Sequence, residues 1–260
     1  MANPAGSFIW YELITPDVDG AKRFYDAVVG WNVADRSDFP NGYRMIGRSD
    51  GTSAGGILPL SAEMQEHGAR PGWLGYVSVD DVDAAVDRMK ADGGTALMPP
   101  FDIPGVGRVA LVADPDGAPF YLMRPSGSDT DSDVFSADQP QHVRWNELWS
   151  GDPAEAIAFY SRHFGWRQEG DMDMGELGKY QFLYHGDTMI GAVMPRMPDV
   201  PKAMWNFYIG VDDIDRAVEA VRSGGGQVFQ EPVEIPGGEY SINVSDPQGA
   251  MIGFVGPRHP

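Results

Sequence analysis

Two glutamates in this chain are spaced to do chemistry. Glu12 stands two residues after Trp10, in Trp10-Tyr11-Glu12-Leu13, and Glu147 stands two residues after Trp145, in Trp145-Asn146-Glu147-Leu148. On a β-strand, residues i and i+2 share a face, so each carboxylate shares its face with an indole. A carboxylate on an aromatic wall can anchor a ligand, accept a proton as a general base or ligate a cation. It can also be a structural acid that caps a loop or pairs with a basic residue such as Arg108. Further aromatics stand at related positions: Trp73, Tyr121, Trp205 and Tyr208. Residues of this kind line a pocket for a flat or cationic molecule, or they fill a core.

The rest of the composition narrows the chemistry. The chain has 260 residues and no cysteine, which removes disulfides, thiolate metal sites and cysteine nucleophiles together. Acidic residues number 38 against 19 basic ones, a net charge of −19. That charge repels phosphate backbones, so nucleic acid is a poor partner; it favours solubility and cationic small molecules. No apolar run approaches the roughly 20 residues of a membrane helix. Residues 1–6 lack the basic and apolar regions of a secretory signal, and the expected location is the cytoplasm. Gly93-Gly94 and Gly224-Gly225-Gly226 follow helical patterns and read as helix stops, not phosphate loops.

The elements that must position these side chains come in a repeat. Trp10-x-Glu12-Leu13 recurs 135 residues later, as do Asp17 at Asp152, Phe24-Tyr25 at Phe159-Tyr160 and Gly30-Trp31 at Gly165-Trp166. The offset then becomes 132: Trp73 with Trp205, Tyr76 with Tyr208, Val79-Asp80-Asp81 with Val211-Asp212-Asp213, and Asp114-Pro115 with Asp246-Pro247. Two domains follow, 1–125 and 142–260, joined by an acidic Ser/Asp-rich linker over 126–141. Each halves again. Apolar residues at 21, 24, 25 and 28 give a helix face, with Asp17 at its start and Gly30 at its stop. Val82, Ala85, Val86 and Met89, and then Ile214, Ala217, Val218 and Val221, repeat that spacing. Strands are expected over 8–14, 74–79, 143–149 and 207–211, each before a helix, and the unit reads β-α-β-β-β four times.

These residues resemble the vicinal oxygen chelate superfamily of glyoxalase I, bleomycin-resistance proteins and extradiol dioxygenases. The likeness rests on the helix ending in Phe-Tyr before Gly-Trp, the Val-x-Asp-like helix start and the Asp-Pro-x-Gly turn, each present twice. It implies an α+β fold of four βαβββ modules forming two tandem domains, each module pair curling its sheet into a cup. It also implies where metal-dependent members place their ligands. The first strand of a module normally offers His where this chain has Trp10 and Trp145, and the second module offers the positions of Trp73 or Leu74 and Trp205 or Asn206. The last strand normally carries Glu where this chain has Tyr121 and Gly253. None of these is His, Glu or Asp, and hard or borderline cations need such donors.

The expectation is therefore a metal-independent small-molecule-binding protein whose aromatic-lined cups hold a cationic or aromatic organic ligand. Trp10, Glu12, Trp73, Arg108, Tyr121, Trp145, Glu147, Trp205 and Asn206 are its candidate contacts. The alternative is a lyase, isomerase or dioxygenase of the same superfamily using Glu12 or Glu147, with or without a divalent metal. No cofactor is expected, nor a nucleic-acid or membrane partner. A monomer or a homodimer is compatible with a tandem chain.

Overall fold

In a computed structural model, residues 3–127, 131–198 and 200–259 are described. Part of the acidic linker, 128–130, and the first two residues lie outside them. The elements form four βαβββ modules. The first comprises β1 (Phe8–Thr15), α1 (Val18–Val29), β2 (Asn32–Val33), β3 (Arg44–Gly47) and β4 (Ser53–Pro59), followed by a short helix α2 (Ala62–Glu66). The second comprises β5 (Gly72–Ser78), α3 (Val82–Ala91), β6 (Thr95–Ile103), β7 (Gly107–Ala113) and β8 (Pro119–Pro125). The third comprises β9 (Val143–Ser150), α4 (Pro153–Phe164), β10 (Arg167–Asp173), β11 (Lys179–His185) and β12 (Thr188–Pro195). The fourth comprises β13 (Met204–Gly210), α5 (Ile214–Ser223), β14 (Gln227–Val228), β15 (Val233–Glu234), β16 (Tyr240–Ser245) and β17 (Met251–Gly256).

The helix starts follow from side-chain capping. Asp17, Asp81, Asp152 and Asp213 each accept a hydrogen bond from a first-turn amide, satisfying donors that the helix itself cannot. Gly30 and Gly165 end α1 and α4 in the left-handed conformation, φ 80° and 68°. The buried residues of α1 are Ala21, Phe24, Tyr25, Val28 and Val29, the face that the spacing predicts. The fourth module's first strand begins at Met204, three residues before the expected 207, because Trp205 alternates with buried Phe207 in one continuous run.

The chain forms two compact units, and their composition differs from the repeat. The first unit contains Met1–Trp10, Leu74–Asp133 and Trp145–Asn206, which joins the second module to the third. The second contains Tyr11–Trp73, Val134–Arg144 and Phe207–Pro260, which joins the first module to the fourth. In the first unit the residues just before β1 bond β5, Gly6 N–H to Ser78 O and Ser78 N–H to Ser7 O, both 2.8 Å. β5, β8, β7 and β6 follow in that order, and β9, β12, β11 and β10 line up likewise. In the second unit the orders are β1-β4-β3-β2 and β13-β17-β16-β14, with β15 also on β16.

Each unit is held by the same buried relay. In the first, the Trp205 indole N–H donates to Tyr160 Oη (3.0 Å), and Tyr160 donates to Asp114 Oδ2 (3.1 Å). In the second, Trp73 donates to Tyr25 (2.9 Å) and Tyr25 to Asp246 (3.1 Å). The tyrosine lies in the C-terminal half of one module's helix, and the aspartate opens another module's Asp-Pro turn. Burial raises the phenol of Tyr25 and of Tyr160 well above the ordinary range, and burial likewise raises the carboxyls of Asp114 and Asp246. A raised carboxyl binds its proton more tightly folded than unfolded. Its contribution to stability is therefore greatest in acid and falls as pH rises from the unfolded value, 3.8, through the raised folded one. Asp114→Asn is expected to flatten this part of the stability profile, measured by urea unfolding at steps between pH 3.5 and 6.5.

The segment between the repeats is docked by specific bonds. Val134 is buried, and Phe135 bridges to Val143. Gln141, at φ 62°, accepts from Ser49 N and Oγ (both 2.9 Å), donates to Gly30 O (2.7 Å), and offers its own carbonyl to Trp31 (2.9 Å).

Candidate functional site

The third module builds one wall in which several sequence candidates meet. On β9 the side chains of Trp145, Glu147 and Trp149 share a face, as period two requires. Glu147 is 4% exposed. Its Oε1 accepts from the Trp149 indole at 2.6 Å, and its Oε2 accepts from the Tyr180 hydroxyl. The Tyr180 oxygen in turn accepts from the Trp145 indole at 2.6 Å. The rings of Trp145 and Tyr180 lie parallel at 6°, and Phe182 meets both edge-on. Trp145 stays partly exposed, so the network has a flat aromatic edge toward solvent.

The strands fix this geometry. Glu147 pairs with Ala192 on β12, and Ala192 pairs with Phe182 on β11. Tyr180 is two residues before Phe182, so its phenol returns across β12 toward the carboxylate. Sequence reading named Trp145 and Glu147 and missed Tyr180 and Trp149. Trp149 was within reach of the same argument, since it is Glu147 plus two. Tyr180 was not, because no local period links residues 33 apart on different strands.

The polar hydrogens of the wall are used within it. With Glu147 ionised, the network holds three hydrogens on its polar groups: two indole N–H and one phenol O–H. All three are spent inside it. A further partner of Tyr180 or Glu147 must bring its own hydrogen.

The corresponding wall of the first module carries Glu12, also 4% exposed, on β1 in register with Gly56 on β4. In the second module Tyr76 and Tyr121 stack at 4.2 Å and 17°. In the fourth, the Tyr208 ring lies over Gly253, where an added Cβ would stand 2.3 Å from it. Asn243 donates to the Tyr208 hydroxyl at 2.9 Å.

Other sequence candidates go elsewhere. Trp73 and Trp205 are buried, each with its N–H committed to the tyrosine relay of its unit, so neither joins the Glu147 wall. Trp10 lies on β1 and is partly exposed; Asn206 is buried on β13. Arg108 sits at the surface, bonding Asp83 (2.5 and 2.8 Å) and Asp102 (3.1 Å), which holds the Asp83 carboxyl below its usual range. Exposed ion pairs of this kind contribute little. Arg108→Ala is expected to leave both the unfolding midpoint and ligand affinity unchanged, as read by thermal unfolding and by titration. Among the histidines, His163 packs on Phe159 and bonds Asp92 at 3.1 Å, with burial lowering its pKa, while His142 bonds the Pro140 carbonyl at 2.8 Å.

The donor set that glyoxalases and extradiol dioxygenases use for a catalytic metal is not assembled among the described residues. Among the described residues no three His, Asp or Glu side chains come together. The position that a last-strand Glu would need in the fourth module is Gly253, and its space is filled by the Tyr208 ring.

The comparisons agree with the geometry of the fold. A protein of Mycobacterium tuberculosis named "Putative glyoxylase CFP32" is 34% identical over 252 residues, covering 95% of this chain and 94% of its own. Anthracycline biosynthesis protein DnrV of Streptomyces peucetius is 30% identical over 270 residues, covering 96% and 93%. Lactoylglutathione lyase GLX1 of Arabidopsis thaliana is 24% identical over 252 residues, covering 90% and 85%. In fold, the Mn(II)-bound glyoxalase of Novosphingobium aromaticivorans matches with a TM-score of 0.64 at 17% identity, over 98% of this chain and 83% of that one. The family model for the Glyoxalase/Bleomycin resistance protein/Dioxygenase superfamily matches twice, over residues 7–122 and 139–254. With both repeats matched and the four βαβββ modules in place, this chain belongs to that superfamily.

Proposed function

We propose that this chain binds a small organic molecule that combines an aromatic ring with a hydrogen-bond donor or positive charge, and does so without a metal ion. The observation that carries this reading is the Trp145–Tyr180–Glu147–Trp149 network. It presents a flat ring edge beside a buried carboxylate whose neighbouring hydrogens are all committed. The net charge of −19 favours a cationic ligand at long range. Relatives named for anthracycline biosynthesis support an aromatic one.

A second reading is enzymatic, and the relatives named as lyases favour it. Here Glu147 takes a proton from a substrate carbon and returns it, as an isomerase or lyase requires. Tyr180, bonded to the same carboxylate, is placed to position it.

Native mass spectrometry against the denatured mass tests the choice. An organic adduct without metal supports the binding reading and weighs the ligand. An excess of one or two transition-metal ions overturns metal independence. For a bare chain, thermal shift against aromatic amines and matched aromatic carboxylates decides: stabilisation by amines alone supports the reading, and by carboxylates alone overturns it.

A further inference from the structure

We propose a second carboxylate–phenol site, built from Glu12 and Tyr43 of the second unit on a floor made by Gly56. It takes the same chemical class as the Glu147 wall: an aromatic molecule that presents an ammonium, amine or hydroxyl group. The proposal rests on the binding role of Glu147.

The register carries the assignment. On the third module's wall Glu147 pairs with Ala192, Ala192 with Phe182, and Tyr180 stands two residues before Phe182. On the first module's wall Glu12 pairs with Gly56, Gly56 with Met45, and Tyr43 stands two residues before Met45. Tyr43 therefore holds the relation to Glu12 that Tyr180 holds to Glu147. The equivalence is hidden in the sequence, because the tyrosines are 137 residues apart and the glutamates 135.

The floor confirms where the phenol lies. A Cβ built at Gly56 would stand 2.0 Å from the Tyr43 hydroxyl oxygen and 2.2 and 2.4 Å from its ring carbons. The ring thus occupies the space above Gly56, directly beside Glu12 in the sheet. Gly56 is not among the positive-φ glycines, so its backbone does not demand glycine; the Tyr43 ring does. Its counterpart Ala192 is buried and carries the methyl that Gly56 lacks. The walls also differ where Ile14 stands in place of Trp149, which removes one indole donor.

The test uses the full chain carrying 3-fluorotyrosine, with the Tyr43 and Tyr180 resonances assigned by Tyr→Phe replacement. The probe is 1-naphthylmethylammonium, and the matched control is 1-naphthylacetate. The expected result is that both resonances shift with the ammonium probe, at two probes per chain, with the acetate binding at least tenfold more weakly at each. Glu12→Gln is expected to abolish the Tyr43 response and spare that of Tyr180. Gly56→Ala reaches the same end with the carboxylate intact, because the new methyl displaces the phenol. A response at Tyr180 alone, at one probe per chain, overturns the second site and leaves the first standing. Silence at both resonances overturns both. A Tyr43 response unchanged in Glu12→Gln and in Gly56→Ala also overturns the second site.

Discussion

Replacing Gly191 by alanine is expected to cost about 3 kcal/mol of stability and to abolish ligand binding at Glu147. Gly191 pairs with Asn146 across β12 and β9, and a Cβ there would stand 1.8 Å from the Asn146 carbonyl oxygen and 2.7 Å from its carbon. These are backbone atoms of the neighbouring strand, so no rotamer change relieves the clash. Only separation of β9 from β12 does, and those strands hold Glu147 and its partner Ala192. Gly72→Ala is the control, since a Cβ there would stand 4.0 Å from its nearest neighbour, the Arg70 carbonyl oxygen; a change within about 0.5 kcal/mol is expected. Urea unfolding of both variants checks the pair, and equal stability of Gly191→Ala and the parent would refute the packing argument.

Glu147→Gln is expected to weaken binding of 1-naphthylmethylammonium about 100-fold, the scale of a lost charge-assisted contact. The amide keeps the shape of the carboxylate and loses its charge. It also brings an N–H₂ toward either the Trp149 indole or the Tyr180 hydroxyl, both of which donate to Glu147. Toward the indole, donor meets donor; toward Tyr180, the hydroxyl must turn to accept and its own hydrogen loses its partner, so either way one bond is lost, at a stability cost of about 1–3 kcal/mol. Tyr180→Phe removes one hydroxyl and leaves the charge, and a loss of about tenfold is expected. Fluorescence titration gives the affinities. Retention of full affinity in Glu147→Gln would remove the carboxylate from the site.

Much of the fold was legible because its signals are local. Helix α1 runs over the residues that the apolar spacing marks, and its start and stop follow from Asp17 and Gly30, whose capping needs only the adjacent turn. The glycine run after α5 was legible only in part. It does end the helix, but Gly224 and Gly226 also make room for Phe24 of α1, with added Cβ atoms 2.9 Å from that ring. That demand comes from a helix in another module. The short helix α2 went unread because it buries no residue and so leaves no apolar period.

The sequence by itself determined the four modules, the two-fold repeat and the shared face of Trp145 and Glu147, because strand and helix periods belong to neighbouring residues. Only the tertiary structure decided which indoles are bonded beside a carboxylate. Trp10, Trp73, Trp145 and Trp205 read alike along the chain. Yet Trp73 and Trp205 give their N–H to Tyr25 and Tyr160 inside the packed units, while Trp145 gives its N–H to Tyr180 beside a carboxylate. An indole has one N–H to give, and its recipient is set by strand register and module packing between residues at least 35 apart. The same non-local register brought Tyr180 to Glu147 and laid Tyr43 on Gly56.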